Sequence, residues 1–157
     1  MSKTKIGGIM QTTHLAQVGV MSIPDRPGTA GKIMTALGKK DINVQFIVQC
    51  IDIHNNDHVV FCISEDELEL AQDILQDVHH ELGAEKVIHR PNVAIISIFG
   101  PDFRERPGVA GIMFAALAGK GINILAISTS ISTLSCVIDS DGLDKAVTAM
   151  RETFDLP

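Results

Sequence analysis

Residues 26–43 read RPGTAGKIMTALGKKDIN and residues 106–123 read RPGVAGIMFAALAGKGIN, a match at an offset of 80. Ten of the eighteen positions are identical, among them Arg26/Arg106, Pro27/Pro107, Gly28/Gly108, Leu37/Leu117 and Asn43/Asn123. Self-similarity this dense means two copies of one supersecondary unit. In each copy a strand-like run, Ala16 to Ile23 or Val93 to Phe99, leads into the Arg-Pro-Gly turn. Proline suits the first turn of a helix, where its missing N–H costs nothing. The residues that follow place Ala30, Ile33, Met34 and Leu37, then Ala110, Met113, Phe114 and Leu117, at i, i+3, i+4 and i+7. That spacing predicts a helix with one buried face. Lysines near each helix end (Lys39, Lys40, Lys120) face the negative pole of the dipole.

Further out, Val44, Phe46, Val48 and Cys50 alternate with Asn43, Gln45 and Gln49, which predicts a strand. The segment from Ile53 to His58 reads as a polar hairpin loop, and Val59 to Ile63 as the returning strand. In the second copy Ile124 to Thr129 and Leu134 to Ile138 take these parts, with the turn at Ser130 to Thr133. A second helix follows each hairpin. Ser64 and Glu67 form a capping-box pattern, and Leu68, Ala71, Leu75, Val78 and Leu82 form a stripe before Gly83, a left-handed stop. The counterpart stripe is Leu143, Ala146, Val147, Met150 and Phe154. Each unit therefore runs strand, helix, strand, strand, helix.

A closing strand, Lys86 to His89, is available only to the first unit, because the second reaches Pro157 without one. The strand-like segment from Lys5 to Gln11 supplies the missing piece, so the first unit is inserted in the second. The expected units are residues 14–91 and residues 1–13 plus 92–157. Each becomes an α+β, ferredoxin-like βαββαβ layer: an antiparallel sheet with two helices on one face.

Composition narrows the function. At 157 residues and 45% hydrophobic content the chain can bury one domain or two small ones, and disorder is excluded. The net charge of -6 and the absence of Trp and Tyr argue against nucleic acid. No segment approaches the ~20 apolar residues of a membrane span, and no secretory signal is visible, so a cytoplasmic location is expected. Cys50, Cys62 and Cys136 each sit in an apolar run and are expected to be buried, reduced thiols. His54 and His58, four apart in a predicted loop, and His79–His80 on a helix make a weak case for a metal. Gly28 to Lys32 lacks the spacer and the Ser/Thr of a phosphate loop, and no GxGxxG occurs.

The phrases Ile23-Pro-Asp-Arg-Pro-Gly-Thr-Ala30, Asp41-Ile-Asn-Val-Gln-Phe-Ile-Val-Gln49 and Gly121-Ile-Asn-Ile-Leu-Ala-Ile-Ser-Thr-Ser130 together resemble the tandem ACT-domain regulatory region of aspartokinases. The resemblance covers essentially the whole chain, without the kinase domain, and implies a non-catalytic regulatory module needing no cofactor. It implies a free amino acid held at a domain or dimer interface, in a homodimer that a client enzyme of amino-acid metabolism reads. Asp25, Gly28, Thr29, Ala30 and Gln49 would contribute from one side; Asn123, Ile124, Ser128 and Ser130 would contribute from the second unit of a partner chain.

The residues themselves fit such a ligand. A helix N-terminus offers free N–H groups to a carboxylate, Gly28 leaves room for close approach, and Asp25 can take the ammonium. Asn43 matches Asn123 in the repeat, with strand capping as an equal role. Arg26 is expected to face solvent or to pair with an acid. Two positions that carry acids in the family are Gln45 and Ile131 here. Burying a lysine side-chain ammonium without them would cost several kcal/mol, which favours threonine over lysine. Glu105 places an acid in the second loop, which raises a second, pseudo-equivalent site. The alternatives are a ligand-free dimerisation scaffold built on open sheet edges and a His-based metal-binding protein.

Overall fold

The alternation of Ala16, Val18 and Val20 against Val59, Phe61 and Ile63 becomes a ladder of paired strands in a computed structural model, which describes residues 2–101 and 103–157. The elements run β1 (Thr4–Lys5), β2 (Gly8–Pro24), α1 (Thr29–Gly38), β3 (Phe46–Ile51), β4 (Asn56–Ser64), α2 (Leu68–Leu82), β5 (Lys86–Phe99), α3 (Val109–Gly119), β6 (Ala126–Thr129), β7 (Thr133–Asp139), α4 (Leu143–Thr153) and β8 (Phe154–Asp155). Two compact units emerge: His14–Pro91, and Met1–Thr13 with Asn92–Pro157. The strands β2 and β5 change unit at His14 (φ 59) and Asn92 (φ 56), both left-handed.

In the His14–Pro91 unit, β4 pairs antiparallel with β3 on one side and with β2 on the other. The early part of β5 lies next to β2, entered where Glu85 donates its N–H to the Met21 carbonyl (3.0 Å). Val18, Val20, Val59, Phe61 and Ile63 share one face and pack with Ile33 and Leu37 of α1 and Ala71, Leu75, Val78 and Leu82 of α2. Each large aliphatic side chain so buried stabilises by roughly 1.5–3 kcal/mol.

The other unit repeats the arrangement. There β7 pairs with β6 and with β5, while Gly7 donates to the Phe99 carbonyl (2.6 Å) and brings β2 alongside β5. Ala94, Ile96, Ile98, Leu134, Cys136 and Ile138 face Met113 and Leu117 of α3 and Ala146 and Met150 of α4. Both units are ferredoxin-like α+β layers.

Four local expectations are corrected. Phe154 does not continue the helical stripe: the backbone turns extended after Thr153, and Phe154 pairs parallel with Thr4 while staying buried. The capping box does not form. The ladder to Leu15 holds Ser64 extended, and a three-residue 3-10 turn, Glu65–Glu67, precedes α2 with no side-chain cap. His58 lies in β4 rather than in the loop. Cys50 is exposed on β3, whereas Cys62 and Cys136 are buried, and burial pushes both thiols up to about 12.

Candidate functional site

The ladder between β2 and β4 ends at Ile23↔Asp57 and Pro24↔Asn56, and Asp25 then donates its N–H to the Asn55 carbonyl (3.1 Å). This bond ties the Arg-Pro-Gly turn to the β3–β4 hairpin. Gly28 adopts φ 97, a left-handed conformation that disfavours a side chain, and nothing lies within 4 Å of where a Cβ would stand. Helix α1 starts at Thr29 with no side-chain cap. Its first amides are therefore available to an anion, at the positive end of the dipole.

The hydroxyl of buried Thr29 donates to the Arg26 carbonyl (3.0 Å), so it closes the turn rather than facing outward. Ala30 is half-buried and Asp25 is exposed. Arg26 is exposed too, and its guanidinium donates to the Glu81 carbonyl (3.1 Å) in the last turn of α2, where a cation is favoured. It pairs with a helix end rather than with an acid.

Gln49 lies on β3 opposite Val59, and Asp57 lies opposite Ile51, so the two are diagonal neighbours on one face. The Gln49 amide donates to Asp57 Oδ2 (2.5 Å). Asp57 is 1% exposed, and its Oδ1 has no hydrogen-bond partner. Sequence reasoning missed this residue by assigning it to the polar loop. The parity of Asp57, Val59, Phe61 and Ile63 would have revealed it, since all four fall on the buried face.

The hairpin beneath is held by Asp52. Its carboxylate accepts from the backbone N–H of His54 (2.8 Å) and of Asn56 (3.1 Å), and from His58 Nε2 (2.8 Å). Because His58 Nδ1 accepts from the Ser22 N–H (3.1 Å), the neutral ring carries its proton on Nε2 and donates it to Asp52. The His58 bond, helped by the two amides, lowers the Asp52 carboxyl to about 2. Among the described residues no three metal-ligating side chains cluster. His79 and His80 hold their rings 4.1 Å apart.

The remaining expected residues belong to the other unit. Asn123 is exposed just before β6, and Ile124 packs partly against that unit's core. Ser128 lies opposite Ser135, whose hydroxyl shares a 2.7 Å hydrogen bond with Ser97. Ser130 Oγ accepts from the Thr133 N–H (3.1 Å) and so shapes the turn. Ser130 and Thr129 join Phe103, Arg106, Pro107 and Gly108 around a cavity of about 240 Å³, the repeat of the Asp25–Gly28 position. A larger cavity of about 580 Å³ lies between α1 and α2, rimmed by Lys32, Lys39, Asp77 and Glu81, and contains none of the predicted site residues.

The ACT domain pattern matches residues 16–79, and a second ACT domain pattern matches residues 96–154. The chain is 37% identical over 156 residues to an aspartate kinase of Pseudomonas putida and 34% identical over 158 residues to an aspartokinase of Thermus thermophilus. Each match covers 99% of this chain and 38% of the relative, so the chain spans well under half the length of these relatives. Among solved structures, the ligand-free regulatory subunit of aspartate kinase from Thermus thermophilus superposes with a TM-score of 0.87 at 32% identity. That match covers 97% of this chain and 100% of the subunit. The structure of aspartokinase alpha and beta subunits gives 0.86 at 28% identity, covering 94% and 97%.

Proposed function

This chain belongs to the ACT-domain family, and from that premise we propose that it senses a small free amino acid on behalf of an aspartate kinase-like enzyme. The 157 residues correspond to regulatory rather than catalytic sequence, since they match a regulatory subunit from end to end. The observation that carries the proposal is the start of α1, where uncapped amides follow a left-handed glycine with open space beside it.

The effector carboxylate sits on the amides after Gly28, next to Ala30, with Gln49 on the neighbouring strand and Asp25 adding negative potential at the mouth. Asn123, Ile124, Ser128 and Ser130 of a second copy close the site, which makes the homodimer the working form. Thr29 supports the turn through its bond to Arg26. Threonine is favoured over lysine because Gln45 and Ile131 provide no carboxylate for a second ammonium.

Dye-monitored or calorimetric melting against all twenty free amino acids tests this; absorbance is nearly blind without Trp or Tyr. An effector at ~100 times its dissociation constant adds roughly 2.7 kcal/mol, or several degrees for a chain of this size. A threonine shift is expected. A shift with lysine alone would overturn the ligand choice, and no shift with any amino acid would leave a scaffold without an effector.

A further inference from the structure

We infer that Asp57 is the acceptor for the α-ammonium group of the effector, an assignment that rests on the amino-acid-binding reading above. A carboxylate has acceptor capacity on both oxygens, and leaving one unmet in a buried site is costly. Here Oδ2 takes the Gln49 amide, while Oδ1 is buried without a partner. Thr29, the other buried polar side chain among the described residues of this unit, is satisfied internally by the Arg26 carbonyl. Asp57 alone, among the described residues, has a buried side-chain oxygen with its hydrogen bond still to make.

Its position fits the role. Asp57 is the register partner of Ile23, two residues before Asp25, and the carbonyl of Asn55, two residues before Asp57, holds the Asp25 amide. The carboxylate is thus tied through one hairpin to the turn that opens α1. Its cover is Gln49, an exposed side chain on β3 that can rotate away. An arriving ammonium takes over the Asp57 carboxylate and satisfies Oδ1, and the displaced Gln49 amide is released to the ligand. Asp25, being exposed, offers only a solvent-screened ion pair. A buried carboxylate with an open acceptor makes the stronger, charge-assisted bond.

The test is calorimetric titration of L-threonine, and of any other amino acid that shifts the melting of the full chain, into wild type and Asp57→Asn. Asparagine keeps an acceptor for the Gln49 amide but removes the charge. The dissociation constant should rise about ten- to a hundredfold, while the unliganded melting temperature moves by less than the ligand-induced shift of the wild type. Unchanged affinity in Asp57→Asn would overturn the assignment and leave the amino-acid reading standing. No response of the wild type to any amino acid would remove that reading and the assignment with it. If Asp57→Asn does not fold, wild type is titrated with 2,3-dihydroxybutyrate, the α-hydroxy analogue of threonine. Binding as tight as that of threonine would overturn the assignment; a loss of tenfold or more supports it when Asp25→Asn binds threonine as tightly as wild type, and an equal loss in Asp25→Asn would overturn it.

Discussion

The two units share a skeleton and differ in what they have done with it. Gly28 and Gly108 adopt nearly the same left-handed conformation (φ 97 and 92), and neither helix that follows has a side-chain cap. At the next position Thr29 closes the turn through its hydroxyl, whereas Val109 is merely buried. The hairpins diverge more. The first is long enough to add Asp52, Asn55 and Asp57 beyond the Gln49↔Val59 pair, whereas in the second only Ser130 to Thr133 lie beyond Thr129↔Leu134. By register, the place of Asp57 falls to Ser132 at the exposed turn. The left-handed glycine and the uncapped helix start were thus duplicated intact, and the buried carboxylate of the following hairpin exists in one copy only.

Core substitutions should break the symmetry most strongly. Phe61 and Cys136 hold equivalent places in the two ladders, and both are fully buried. Phe61→Ala is expected to cost about 3–5 kcal/mol, and Cys136→Ala, with fewer atoms to lose, about 1–2 kcal/mol. Denaturant melts with hydrogen exchange resolved by unit would check both values. Equal costs would mean that the cores are less differentiated than their side chains suggest.

Next come the paired glycines. Gly28→Ala and Gly108→Ala should each lose about 1–2 kcal/mol through left-handed strain alone, because both sites have open space for the methyl group. The stability costs should match, but only Gly28→Ala should also weaken the response to the effector. A comparable loss in Gly108→Ala would place a second effector site at the 240 Å³ cavity.

A milder contrast follows from pH. The Asp52 carboxyl is lowered to about 2 in the folded state, so its contribution is complete above the unfolded value near 3.8 and is lost as pH falls toward 2. Amide exchange at Asn56 should rise through that window while exchange at Thr133, bonded to the Ser130 hydroxyl, does not follow. His14 runs the other way. Its raised pKa, due first to the Asp66 hydrogen bond, adds stability below about 6.5 that fades as pH rises through the folded value. The smallest effect concerns thiols: under native conditions a thiol reagent should label Cys50, while Cys62 and Cys136 should react only on unfolding.

Much of this was legible beforehand for identifiable reasons. The repeat and the 3.6-residue stripes place Ile33, Leu37, Met113 and Leu117 in the cores, because periodicity is a local property. Gly28 and Thr29 at a helix start follow from Pro27 and the stripe behind it. Misreadings occurred where a distant partner decided. Ser64 is held extended by Leu15, Phe154 is drawn into a strand by Thr4, and His58 joins β4 because the ladder runs three residues past the apolar run, to Asn56.

The sequence alone therefore determined two ferredoxin-like units, their inserted order and a helix that starts just after Gly28, since repeats, periods and turn residues act over a few neighbours. Tertiary structure alone decided that Asp57 is a buried carboxylate with one oxygen unmet, bound to a glutamine on the next strand. A polar residue next to a turn looks solvated in sequence, and only the pairing of three strands takes it out of water.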